Sequence, residues 1–387
     1  MVKKKILFVI PSFKIGGTIV SLHSILSVID TEKYDVSVFA LNKSGNFLHK
    51  LPNCKIIPEN IWLSLVYNGD NIFKKLFSKL LRYTRSIFYR LGYSIEPICC
   101  KMAEATMRFD NYDTLVNFSE SIARYVAYYP ITKRVAWIHC DYRRHLDLVR
   151  KNENKEYNLF STIVCVSNFA KEVFCNCIPE VSNRVVAIHN IINVDDILNK
   201  SRDSATQLDP KFKTDNFTII SVGRIDPVKQ FHLIPQLAAD IKSRTSRKFQ
   251  WYIIGGYRGF DQYIEKLKQD IKRLNVSEEV ILLGEKTNIY PYMANANLYV
   301  STSFSESFPL VINEAKVLGI PVVSNNFGSA SESVRHGVDG FISPIESGEM
   351  TEKICQLINS PFMTDPNITQ YMHDEYLYNL EKIYSIL

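Results

Sequence analysis

Short apolar, β-branched runs alternate with stretches of helical periodicity along the whole 387-residue chain. In the first half the runs are Lys5–Ile10, Val36–Ala40, Lys55–Ile57, Thr114–Asn117, Arg134–Ile138, Thr162–Val166 and Val185–Ile188. In the second half they are Phe217–Val222, Gln250–Ile254, Val280–Leu283, Leu298–Ser301, Pro321–Ser324 and Gly340–Ile342. Such alternation predicts parallel strands joined by crossover helices, and two sets predict two doubly wound α/β domains. A chain this long exceeds one ordinary core, which agrees. The expected domains are residues 1–200 and 201–365, with the polar stretch Asn199–Asn216 as the linker. Residues 366–387 form a Tyr-rich helical tail, expected to pack back on the first domain.

One helical stretch departs from the crossover pattern. Between Ile72 and Leu91, apolar residues recur at Ile72, Phe73, Leu76, Phe77, Leu80, Leu81, Ile87, Phe88 and Leu91. Lys74, Lys75, Lys79, Arg82, Arg85 and Arg90 share that helix, and it holds no acid. Such a helix either lies on an anionic membrane or turns its apolar face into a core with solvated cations outside. The periodicity serves both readings.

Composition narrows the class. Apolar content of 46% and charged content of 22% are those of a globular protein. The net charge of +6 favours anionic partners such as sugar nucleotides, phospholipid surfaces or nucleic acid, without choosing among them. Eight scattered cysteines include no CxxC pair, which reads as reduced thiols in a cytosolic protein rather than a disulfide framework or zinc site. The N-terminal apolar run, Ile6–Ile10, is shorter than a signal core and reads as a buried strand. No apolar span reaches transmembrane length. The expected location is cytoplasmic, at most peripheral on the inner face of the membrane.

Residues with chemistry gather at predicted strand ends, where open α/β sheets present their ligand crevice. Gly16 and Gly17 follow the first strand and precede a helix, but do not form GxGxxG. His139, Glu120 and Asn190 follow three later strands of the same half. The second half opens with SVGRIDPVKQF, which puts Arg224 and Lys229 on one loop, where they can clamp a diphosphate. Gly255 and the Gly284-Glu285-Lys286 turn end the next two strands. From Ser301 to Gly328 the chain reads as strand end, Ser-rich turn, helix and strand, with Glu306 in the turn and Glu314 in the helix. Taken singly, Glu306 reads as a solvated loop charge and Glu314 as an exposed helix charge; only the pair in this frame points to a site.

IGG near the first strand, SVGRIDPVKQF, LLGEKTNIYPYMANANLYVSTSFSESFPLVINEAKVLGIPVV and SESVRHGVDGFI together resemble the retaining glycosyltransferases of family 4, of the bacterial cell-surface polysaccharide type. The resemblance implies the GT-B fold: two facing Rossmann-like domains with parallel sheets and a cleft between them. The first domain would bind acceptor and the second the nucleotide-sugar. Arg224 and Lys229 would bind the donor diphosphate, Glu306 would lie beside the donor sugar, and His139 near its reacting carbon; these four are the implied catalytic set. Glu314 would bind the ribose. Ser307, Phe308, Pro309, Leu310 and Val311 would line the sugar and phosphates, with Gly255, Glu285 and Lys286 also on the donor. Gly16 and Gly17 would close on the phosphate from the other domain. Here Ser307 stands where the family commonly has Gly, and GGYRG follows Ile254 in place of a Gly-acid-Gly turn.

The implied reaction is metal-independent, hexosyltransferase-type transfer from a UDP- or GDP-sugar to a glycan, lipid-linked in capsule, O-antigen or exopolysaccharide assembly. No cofactor, no metal and no nucleic acid partner are expected. A soluble or protein acceptor, or a non-catalytic transferase-like subunit, are the alternatives.

Overall fold

The computed structural model describes residues 2–68, 71–148, 153–346, 348–360 and 362–387. It divides into two compact units, Met1–Ile191 with Asn379–Leu387, and Ile192–Tyr378. The first holds strands β1 (Lys4–Ser12), β2 (Tyr34–Asn42), β3 (Lys55–Ile56), β4 (Thr114–Asn117), β5 (Lys133–Ile138), β6 (Thr162–Cys165) and β7 (Val185–Ala187). The second holds β8 (Phe217–Val222), β9 (Phe249–Ile254), β10 (Val280–Gly284), β11 (Leu298–Ser301), β12 (Val322–Ser324) and β13 (Gly340–Ile342). Every expected strand is present, with ends moved by two residues at most.

The strands are apolar along their length because both sheet faces are covered. In β1, Ile6 to Ile10 are all buried, as a parallel sheet between helices requires. In the second unit, Phe217, Ile219 and Trp251 pack with helices Ile234–Arg244, Asp261–Arg273 and Glu349–Asn359 on one face. Ile220, Tyr252 and Ile254 pack on the other against Tyr292, Ile312 and Ala315.

Strand order carries the information that matters for function. The first sheet runs β3-β2-β1-β4-β5-β6-β7 and the second β10-β9-β8-β11-β12-β13, all parallel. Each order reverses beside its first strand, between β1 and β4 and between β8 and β11. Loops leaving the carboxyl ends of these paired strands diverge and open a crevice, the usual ligand position in such sheets. Gly16 and Gly17 leave β1; Arg224, Lys229, Glu306 and Glu314 leave β8 and β11.

The chain enters the second unit at Ile192, ahead of the polar stretch read as a linker. Val194 and Ile197 are buried there, and Phe212 joins its core. The helix Ile368–Ile386 begins in the second unit, where Ile368 and Met372 pack on Val194 and Val317. It ends in the first, where Tyr384 stacks on Tyr34 (5.5 Å between rings) and the Thr114 hydroxyl donates to the Leu387 carbonyl at 2.8 Å.

The helix Ile72–Arg90 corrects one expectation. Lys74, Lys75, Lys79 and Arg82 are exposed, but Arg85, grouped with them from sequence, is buried. Its Nε lies 2.9 Å from Glu96 Oε1, and it donates to the Trp62 carbonyl at 2.5 Å. At 100° per residue Arg85 shares an arc with Ser78, the arc turned toward the protein. It is an anchor, not part of a charged surface.

Candidate functional site

At the end of β8 the chain turns through Gly223, whose φ of +155° suits glycine. A Cβ there would meet Lys229 Cε at 3.0 Å. Gly255, after β9, is tighter: its Cβ would fall 1.8 Å from the Gly223 carbonyl oxygen. The two strand ends are in backbone contact, so nothing larger fits. Gly255→Ala is expected to cost about 1–3 kcal/mol by overpacking, read as a lower urea midpoint with an unchanged slope.

Asp226, which sequence inspection did not single out, organises the loop. One carboxylate oxygen accepts from the Val228 and Lys229 amides at 3.0 and 3.1 Å. The other accepts from Arg224 Nε at 2.7 Å, with a second guanidinium nitrogen at 2.6 Å. Asp226 is buried while the Arg224 side chain stays largely exposed, so a fixed carboxylate aims a cation outward. An Asp-Pro step directly after Arg-Ile is a turn signal, and that signal could have found it.

Lys229 crosses to the second loop. Its Nζ lies 2.5 Å from Glu306 Oε1, with both side chains partly accessible. The loops are laced together behind this pair: the Thr302 hydroxyl donates to the Lys229 carbonyl (2.7 Å), and the Phe304 amide to the Val228 carbonyl (2.8 Å). The Ser329 hydroxyl donates to the Glu306 carbonyl at 2.9 Å. Three residues on, Pro309 occupies the cap position of the helix Leu310–Val317 and makes no side-chain capping hydrogen bond. Pro309 itself has no N–H, and the amides that follow present the positive end of the helix.

Glu314 lies inside that helix and is not the exposed charge it resembles in isolation. It is buried; Tyr290 donates its hydroxyl to Oε1 at 3.2 Å, and Oε2 is buried without a partner. Burial pushes its carboxyl up to about 7, against the opposing pull of the Tyr290 hydrogen bond. Oε2 thus retains acceptor capacity that the protein does not use. Ser307 is buried in the same turn. Glu285 stands beside Gly256, and Lys286 is engaged with Asp209 at 2.7 Å. Behind the helix, the motif SESVRHGVDGFI is structural: buried Asp339 takes Arg335 at 2.8 Å and Lys316 at 3.4 Å.

The first unit carries the remaining expected residues at its own strand ends. Gly16 is extended (φ 174°) and heads the helix Gly17–Val28. A Cβ on Gly16 or Gly17 would meet nothing within 4 Å, so protein packing does not demand glycine there. Asn190 accepts from the Ser21 hydroxyl of that helix at 2.6 Å. His139 follows β5; its amide donates to Glu120 at 3.0 Å, and its ring meets Phe118 edge-on at 4.7 Å. The ring nitrogen Nε2 is buried without a partner, and burial lowers the imidazole to about 4. Among the described residues, no three His, Cys, Asp or Glu side chains gather as a metal cluster.

Residues 205–373 match the family Glycosyl transferases group 1. The capsular polysaccharide biosynthesis glycosyltransferase CapM of Staphylococcus aureus is 31% identical over 38% of this chain and 38% of its own length. Sucrose synthase 2 of Pisum sativum is 28% identical over 43% of this chain and 22% of its own. The chain thus spans less than half the length of these curated relatives. The solved structure of Anabaena HepE in complex with UDP superposes with a TM-score of 0.72 at 21% identity, covering 98% of each chain. That likeness establishes the architecture of two parallel sheets flanked by helices as GT-B.

Proposed function

We propose that this chain, GT-B in fold and matching group 1 glycosyl transferases over residues 205–373, is a retaining glycosyltransferase that takes a sugar from a UDP- or GDP-sugar. The observation that carries the reading is the Lys229–Glu306 pair beside the start of helix Leu310–Val317, whose cap residue makes no side-chain hydrogen bond, at the reversal point of the second sheet. Glycosyl transfer places negative charge on the departing nucleotide, so fixed cations and helix amides supply what the reaction needs. Arg224 and Lys229 take the diphosphate, and the Leu310 and Val311 amides meet its oxygens. Lys229 exchanges its contact with Glu306 for the phosphate, and the Glu306 carboxylate then faces the sugar, where positive charge develops. Glu314 Oε2 accepts from a ribose hydroxyl. The departing phosphate accepts the acceptor's proton, so no covalent nucleophile and no metal are assigned. UDP in the HepE structure supports the donor class.

The acceptor is a glycan, lipid-linked, used at the inner membrane face in cell-surface polysaccharide assembly. Similarity to CapM, a capsular polysaccharide biosynthesis glycosyltransferase, supports the polysaccharide part of that choice. From the first unit, the open space over Gly16 and Gly17 leaves room for the donor phosphate. His139, held neutral by burial, hydrogen-bonds rather than protonates. The pH profile of kcat is therefore expected to lack any limb from His139 between about pH 5 and 8, checked by comparing wild type with His139→Asn.

The test is incubation with UDP- and GDP-sugars and glycan acceptors, following nucleotide release and the anomeric coupling of the product by proton NMR. Nucleotide release with an unchanged anomeric configuration is expected. An inverted product removes the retaining assignment, and no release from any donor removes the transferase reading.

A further inference from the structure

An amphipathic helix in a globular unit turns its apolar arc inward. The helix Ile72–Arg90 does the reverse. Its inward arc is Phe77, Ser78 and Arg85; Phe77 meets the Trp62 ring at 4.9 Å, and Arg85 is paired with Glu96. The opposite arc holds Ile72, Leu76, Leu80, Tyr83 and Ile87, all exposed, with Phe73 at its edge 79% exposed. Rotating the helix to hide this arc would carry Arg85 away from its buried carboxylate, which would be left uncompensated. The outward orientation is therefore locked by an ion pair.

We infer that this face is a docking surface for an anionic lipid bilayer. A contiguous exposed apolar arc of this size marks an interaction site, and the charges beside it choose the partner. Lys75, Lys79 and Arg82 run along one flank of the arc, exposed, and the helix contains no acid. Apolar side chains entering the acyl boundary while flanking cations meet phosphates is the arrangement of an interfacial helix. A second copy meeting this face brings no acid from its own helix to pair with the flanking cations, in either a parallel or an antiparallel arrangement, which argues against a second copy as the occupant. Among the described residues no helix is long and apolar enough to cross a membrane, so the contact is one of lying on the surface. The inference stands apart from the transferase reading, since it uses neither the second unit nor turnover.

Flotation of the full chain with phosphatidylcholine vesicles, with and without phosphatidylglycerol, tests it. Binding is expected only with phosphatidylglycerol, and is expected to fall as salt is raised. Lys75→Glu/Lys79→Glu and Leu76→Glu/Leu80→Glu should each lower the bound fraction about tenfold or more, with melting transitions like wild type because all four side chains are exposed. Absence of wild-type flotation overturns the inference, as does flotation of both variants equal to that of wild type. A concentration-dependent dimer in sedimentation that Leu76→Glu/Leu80→Glu dissolves also overturns it, by making the face a contact between copies. Flotation is read without substrate, so a catalytically inactive chain that floats, or an active one that does not, separates this inference from the transferase reading.

Discussion

Lys229→Ala lowers kcat/KM for the sugar donor by roughly 10²–10³-fold, the loss typical of removing one fixed donor from developing negative charge. The fall is expected mainly in kcat, because the interaction strengthens as the nucleotide departs. Lys229 is suited to this because Asp226 holds its amide, Thr302 holds its carbonyl, and its stem runs under Gly223. The ammonium is thus positioned before the donor arrives. Arg224→Ala should cost less, since its side chain is largely exposed and solvent replaces part of its field. The melting transition of Lys229→Ala should stay near that of wild type, because Glu306 is partly accessible and can hydrate once unpaired. Turnover equal to wild type would remove Lys229 from the reaction.

Glu314 is expected to make stability and nucleotide affinity respond to pH in opposite directions. Its carboxyl sits at about 7 in the folded chain against an ordinary 4.5, because burial penalises the anion. A raised folded value means the folded state holds its proton more tightly. That contribution is complete below pH 4.5 and disappears as pH rises through 7. The shift is worth roughly 3 kcal/mol, lost across that window. Urea unfolding should show the slope in wild type and a flatter one in Glu314→Gln. Nucleotide binding runs the other way, because a ribose hydroxyl donates best to the ionised carboxylate. UDP should bind more tightly as pH passes upward through about 7, and Glu314→Gln should remove that dependence.

Much of the architecture was legible because buried parallel strands announce themselves as continuous apolar runs. Ile6–Ile10 and Phe217–Val222 could hardly be anything else. Arg224, Lys229, Glu306 and Glu314 were legible as a set because each follows a strand end. Strand order was not legible, yet it is what sets the β8 and β11 loops side by side and brings Lys229 to Glu306 across 77 positions of sequence. Arg85 escaped for a related reason. Counting charges on a helix does not say which arc meets the protein, and its partner Glu96 lies on the next helix. Glu314 misled in isolation, since Tyr290, whose hydroxyl it accepts from, lies 24 positions earlier and is brought to it by tertiary packing. Asp226 hid in plain view as one more loop acid.

The central claim is that the loops after β8 and β11 form a donor site whose charge is supplied by Lys229. Calorimetric titration of UDP into wild type and into Lys229→Ala tests it without knowledge of the acceptor. Saturable binding to wild type is expected, weakened about tenfold or more in the variant, a loss of at least about 1.4 kcal/mol. Equal affinity in the two proteins, or no heat of binding to wild type at any accessible concentration, would contradict it.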